Sequence, residues 1–139
     1  MKKILIDSGP LIALFDASDK FHFAAIEFLK TNTYPLVTTM ASITETSHLL
    51  DFNINAQLDF LEWIYRGSIE IYPINSYDLK RIINLMRKYS DVPMDFADAC
   101  LVYLAEKLQL NMIVTIDRDF DIYRIKGRKK FKTINLAKK

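Results

Sequence analysis

Residues that build cross-links, thiolate metal sites and tight turns are scarce in this chain. A single cysteine, Cys100, among 139 residues excludes an internal disulfide framework. With only two histidines, His22 and His48, it cannot complete a Cys/His structural zinc site either. A reducing, cytoplasmic setting fits that usage. Three glycines and four prolines are too few for a loop-rich all-β protein, while 50% hydrophobic and 12% aromatic residues are too many for a disordered one. No stretch approaches the roughly 18 to 20 apolar residues that span a bilayer. Asp7 interrupts the run Ile4-Leu5-Ile6 well before a signal-peptide core of about 7 to 15 residues is reached. The expectation is a soluble, compact, helix-rich protein, a single domain over 1–139 on a prior of about 100 to 200 residues per domain.

Acid is missing from one end of the chain. Residues 124–139 carry eight Lys/Arg, with Arg128, Lys129 and Lys130 consecutive among them, and no Asp or Glu. The preceding 123 residues hold 11 basic and 17 acidic residues, so a net charge of −6 lies beneath the overall +2. Basic runs of this kind touch nucleic-acid phosphates, and a solvated terminal segment is the plainer alternative.

What is present is an alternation of short apolar runs with longer helical patterns, the signal of an α/β domain around a largely parallel sheet. Ile4-Leu5-Ile6 reads as a first strand, followed by a turn at Ser8-Gly9-Pro10 and helical segments over 11–15 and 21–29. Leu36 to Thr39 is a second strand, leading to helices over about 40–52 and 55–66 that break near Asn53 to Asn55. Ile69 to Tyr72 is a third strand, closed by Pro73. Leu79, Ile82, Ile83, Met86 and Tyr89 recur at helical spacing, whereas Phe96 to Leu108 is apolar nearly all round and so belongs inside. Met112 to Ile116 is a fourth strand and Lys132 to Leu136 a fifth.

In doubly wound sheets ligands sit beyond the carboxyl ends of the strands, so the polar residues there are the first place to look for chemistry. Here they are acids. Asp7 closes the first strand and Asp117 the fourth; Asp95 and Asp98 open the buried helix; Glu45 lies in the helix after the second strand. Each has an ordinary structural use. Asp7 and Asp117 suit helix N-caps, Asp95 and Asp98 suit a cap and its dipole partner, and Glu45 suits a solvated surface. Concurrence is what argues for more, because four segments separated by 38, 53 and 19 residues bring acids to one edge of one sheet. Carboxylates that converge without a cation repel one another and hold their protons; a hard divalent ion such as Mg²⁺ or Mn²⁺ relieves this, and an all-oxygen donor set selects it.

These segments, Leu5 to Leu14, Glu45, Asp95-Phe96-Ala97-Asp98-Ala99 and Val114 to Phe120, together resemble the PIN-domain family, most closely its small VapC-type toxins of bacterial toxin-antitoxin pairs. The likeness runs over essentially the whole chain in the family's order. It implies a three-layer α/β/α fold and Mg²⁺- or Mn²⁺-dependent hydrolysis of single-stranded RNA. It further implies metal ligation by Asp7, Glu45, Asp98 and Asp117, with Asp95 and Asp119 as helpers and Ser8 and Thr115 at neighbouring polar positions. A small antitoxin would be the protein partner. The sequence leaves open whether the chain forms a homodimer, and whether it is a toxin or an RNA-processing nuclease.

Other residues have plainer uses. Cys100 lacks a neighbouring histidine to activate it and reads as a small core residue. His48, three residues past Glu45, is a general-base candidate that a metal-activated water would make unnecessary, and His22 reads as a surface residue. Phe52, Phe60, Trp63 and Tyr65 suit the core of a helical hairpin before a partner groove. A phosphoryl-acceptor domain is disfavoured, since a dehalogenase-type site needs an acid where Gly9 stands and a receiver needs its acceptor where Tyr72 and Pro73 stand. A non-catalytic RNA- or protein-binding module would rest on the basic segment alone, because no GxxG loop, Walker A or GxGxxG motif occurs.

Overall fold

The structure is a computed structural model describing residues 2–138; Lys139, counted above with the basic residues, lies outside them. The elements in chain order are β1 (Ile4–Ile6), α1 (Ser8–Phe15), α2 (His22–Thr31), β2 (Leu36–Thr39), α3 (Met40–Leu49) and α4 (Ile54–Tyr65). There follow β3 (Glu70–Tyr72), a 3-10 turn (Ser76–Asp78), α5 (Leu79–Lys88), α6 (Phe96–Leu108) and β4 (Met112–Thr115). The chain closes with α7 (Asp119–Ile122), β5 (Arg124–Ile125), β6 (Lys129–Lys130) and β7 (Lys132–Asn135). Five strands form one sheet in the order β3-β2-β1-β4-β7, and every pair is parallel.

A strand turns alternate side chains to opposite faces, and here both faces are buried. Leu5, Val37 and Ile113 pack on one side with residues of α5 and α6. Ile4, Ile6, Leu36 and Val114 pack on the other with residues of α1 to α4. This is the three-layer α/β/α arrangement expected. The apolar helix α6 buries eight of its residues, Cys100 among them with no exposure. Burial pushes the Cys100 thiol up to about 12, which keeps it protonated and inert.

The element boundaries differ from the expected ones for local reasons. α1 begins at Ser8, three residues early, because the Asp7 carboxylate accepts from the Ser8 amide at 2.8 Å and Pro10 falls in a first turn that needs no amide from it. α3 stops at Leu49, and Asn53 starts α4 by accepting from the amides of Asn55 (2.9 Å) and Ala56 (3.3 Å). The basic segment is largely folded and is no free tail. β5 and β6 pair as an antiparallel hairpin, Phe131 is buried edge-on to Phe120, and β7 completes the sheet beside β4. Among the described residues no helix is long and apolar enough to cross a membrane.

The four aromatics of the α3–α4 region divide. Phe60 is fully buried, and both Phe60 and Trp63 meet Phe15 edge-on at 5.5 and 5.4 Å. Phe52 and Tyr65 instead stand 62% and 85% exposed, so core packing accounts for only half the set. Ile54, Leu58, Leu61 and Tyr65 are all exposed at helical spacing, an apolar stripe on the outer face of α4. Phe60→Ala should cost about 3–5 kcal/mol, and Tyr65→Ala should stay within about 0.5 kcal/mol, in urea denaturation of the isolated protein. Comparable losses at both positions would mean that the outer face of α4 is packed.

Candidate active site

Because all five strands run the same way, their carboxyl ends open at one edge. The strand order turns back at β1, whose neighbours are β2 on one side and β4 on the other. A crevice forms at such a reversal. Asp7 follows β1 directly and Asp117 stands two residues past the end of β4, so both border it. α3 continues from β2 without a loop and carries Glu45, while Asp98 lies in the first turn of α6.

Polar neighbours hold these acids in place. Asp7 is 4% exposed; its Oδ1 accepts from the Ser8 amide and its Oδ2 from the Thr115 hydroxyl at 3.0 Å. The Ser8 hydroxyl donates to Glu45 Oε1. Asp95 caps α6 by accepting the Asp98 amide at 2.8 Å. Asp98, itself buried, accepts at Oδ2 from the phenol of Tyr123 at 2.9 Å. The exposed Asp117 accepts the Asp119 amide at 3.0 Å. Ser8, Thr115, Asp95 and Asp119 each hydrogen-bond to one of these acids or to its backbone. Tyr123 lies outside the expected set; fully buried, its hydroxyl needs a partner, and Asp98 supplies it.

Electrostatically the group is strained. Burial, then the charges of Asp117 and Glu45, raise Asp7 to about 7 against the hydrogen bonds from Ser8 and Thr115. Burial, then Asp7, Asp95 and Asp117, raise Asp98 to about 8. Asp117 is raised too, by desolvation first and by Asp119, Asp95 and Glu45 after it. The carboxylates thus feel one another across all four segments, the field that a cation relieves.

The donor chemistry fits a hard divalent ion, since the group offers carboxylate oxygens without a thiolate or a bound imidazole. Yet among the described residues no three His, Cys, Asp or Glu side chains gather closely enough to hold one ion. The expected ligand set of Asp7, Glu45, Asp98 and Asp117 is therefore assembled as an edge and not as a closed cage. Glu45 is instead hydrogen-bonded to the Ser8 hydroxyl and Asp98 to the Tyr123 phenol. Beside the acids a cleft of about 510 Å³ runs between α3 and α6, lined by Thr44, Glu45, His48, Asp95 and Phe96.

Other candidates lie apart or serve elsewhere. His22 Nδ1 is 2.7 Å from the Ala13 carbonyl oxygen, a structural contact. His48 is exposed on the cleft rim beyond Glu45. Arg128, Lys129 and Lys130 are exposed on the β5–β6 hairpin, where Lys129 neighbours Glu106 and Gln109 at the C-terminal end of α6. From Asp98 to Glu106 the helix rises about 12 Å. The cations and the acids thus occupy opposite ends of α6.

The raised carboxylates make stability depend on pH with a definite sign. The folded protein holds the Asp7 and Asp98 protons more tightly than the unfolded chain. Their contribution is complete below about pH 4 and is lost as pH rises through about 7 to 8. Asp7→Asn keeps a capping side chain and removes one charge. In EDTA it should melt level with wild type near pH 4 and above it at pH 8. Melting temperatures between pH 4 and 9 check this, and a difference that does not grow with pH would leave Asp7 a helix cap alone.

A PIN-domain family profile matches residues 4–126. Ribonuclease VapC26 of Mycobacterium tuberculosis is 28% identical over 117 residues, covering 83% of this chain and 87% of that protein. VapC20 of M. tuberculosis, described as a toxin cleaving the sarcin-ricin loop, superposes with a TM-score of 0.79 at 16% identity, over 86% of this chain and 93% of its own. A chain of a toxin-antitoxin complex from Klebsiella pneumoniae superposes at 0.66, also 16% identical, over 96% and 97%. At 16% identity the superpositions speak for the shared fold; the profile, which spans all four acid-bearing segments, speaks for descent. This chain belongs to the PIN-domain family.

Proposed function

We propose that this protein is a metal-dependent endoribonuclease that hydrolyses phosphodiester bonds of single-stranded RNA, acting in the cytoplasm as the toxin of a toxin-antitoxin pair. One observation supports the reading: Asp7, Glu45, Asp98 and Asp117, from four separate segments, stand along one edge of the sheet, where burial and neighbouring acids push Asp7 and Asp98 up. These four would hold Mg²⁺ or Mn²⁺. When bound, such an ion supplies a water activated for attack on phosphorus and neutralises charge on the phosphate oxygens.

The chain's own groups do the orienting. Thr115 fixes one oxygen of Asp7, Ser8 engages Glu45, and the Asp119 amide fixes one oxygen of Asp117. Asp95 anchors the first turn of α6 and with it Asp98. Arg128, Lys129 and Lys130, at the far end of α6, would grip the backbone of an RNA that extends beyond the crevice. The toxin role and a small antitoxin partner are supported by the relatives named above. The apolar stripe Ile54, Leu58, Leu61 and Tyr65 on α4 is surface that such a partner would cover.

Incubation of the purified protein with labelled single-stranded RNA tests the chemistry. Cleavage is expected with Mg²⁺ or Mn²⁺ and not in EDTA. Asp7→Asn and Asp98→Asn should each lose at least the ~10- to 100-fold that even indirect changes around a metal cause. RNA left intact by folded, antitoxin-free protein with either metal would refute the assignment. The hairpin is tested separately. Changing Arg128, Lys129 and Lys130 to Ala should weaken RNA binding alike across sequences and flatten the log-log salt slope by up to about 0.7 per lost phosphate contact, with turnover at saturating RNA retained. An unchanged slope would remove the hairpin from the RNA path.

A further inference from the structure

We infer that Tyr123 is a positioning residue that holds Asp98 for metal binding and couples it to the Asp117–Asp119 turn. The inference rests on the nuclease reading and concerns a residue outside its acidic set. Tyr123 is fully buried, and its phenol donates to Asp98 Oδ2 at 2.9 Å. No described residue donates to Asp98 Oδ1, so one oxygen is tied and the other is left for a ligand. The ring is clamped edge-on by Tyr89 and by Phe120, each 5.1 Å between centroids. A phenol fixed at that depth does not swing to another partner, so the carboxylate it binds inherits its orientation.

The backbone extends the same linkage. The Tyr123 amide donates to the Asp119 carbonyl at 3.1 Å, and the Asp119 amide donates to Asp117 Oδ1 at 3.0 Å. A continuous path of hydrogen bonds and backbone therefore joins Asp117, beyond β4, to Asp98 on α6. Two acids that the sequence separates by 19 residues are braced against each other through one side chain. Groups that orient metal ligands in this way are worth about 10- to 100-fold in metal affinity or activity.

Tyr123→Phe removes the hydroxyl and keeps the ring. Tyr89→Phe is the control. Its hydroxyl accepts the Arg124 amide at 2.9 Å in the same aromatic cluster and bonds no acid among the described residues, so its loss reports packing and folding alone. Melting curves establish that both variants are folded at the assay temperature. Free Mn²⁺ measured by electron paramagnetic resonance gives the Kd without reference to catalysis, and RNA cleavage gives kcat and KM. Tyr123→Phe is expected to raise the Mn²⁺ Kd about 10- to 100-fold and to lower kcat at subsaturating metal, with the KM for RNA unchanged. Tyr89→Phe should leave the Kd at the wild-type value. Wild type that binds and cuts, with Tyr123→Phe equal to it in Kd and kcat, overturns the role of Tyr123 alone. Equal weakening of Mn²⁺ binding by both variants also overturns it, since packing then explains the effect. Wild type that binds no Mn²⁺ and cuts no RNA overturns the nuclease reading and this inference with it.

Discussion

Parallel pairing through the whole central sheet is the constraint on which the site depends. A parallel strand cannot follow its predecessor through a tight hairpin, so each must be reached by a crossover, and the chain supplies helices on both faces for that purpose. All five carboxyl ends then share an edge, and the strand order reverses around β1, where doubly wound sheets open a crevice. An acid placed after any of these strands arrives at the same place however far apart the strands lie in sequence. Asp7 and Asp117 do so directly, while α3 carries Glu45 near its middle and α6 carries Asp98 in its first turn.

That convergence opposes folding in the absence of a counter-ion. Asp7 shows how the conflict is borne. Its carboxylate caps α1 and takes the Thr115 hydroxyl, both of which favour the charged form, yet burial and neighbouring acids outweigh them and its pKa ends near neutrality. Asp98 is subject to the same balance, with Tyr123 as its counterpart to Thr115. Capping and ion binding are thus two uses of the same side chains. The surrounding core, above all the eight buried residues of α6, supplies the stability that a strained edge requires.

Much of this was legible in the sequence because it is written in local patterns. Short apolar runs ending in Asp mark strand ends, and an unbroken apolar stretch after Asp95 marks a buried helix. The α/β/α layering and the acidic edge follow from those signals. The rest depends on tertiary context. β5 and β6 have two residues each, too few for any periodicity, so the lysine-rich segment reads as a tail although Phe131 pins it to the core. Its distance from the acids is likewise invisible until α6 is seen to run between them. Phe52 and Tyr65 look like core residues by type, but Phe52 falls in the exposed turn between α3 and α4, and Tyr65 lies on the outer face of α4, opposite the buried Phe60. Tyr123 carries no local signal, because its partner Asp98 lies 25 residues away.

The nuclease reading requires the acids at the crevice to form one divalent-cation site. Diffraction from crystals soaked in Mn²⁺, measured on both sides of the manganese absorption edge, addresses it directly. The expected result is an anomalous peak between Asp7 and Asp98, with Glu45 or Asp117 moved toward it. Saturating Mn²⁺ that leaves the crevice without a peak while the same preparation cleaves RNA in a metal-dependent manner would contradict the claim and place the metal elsewhere.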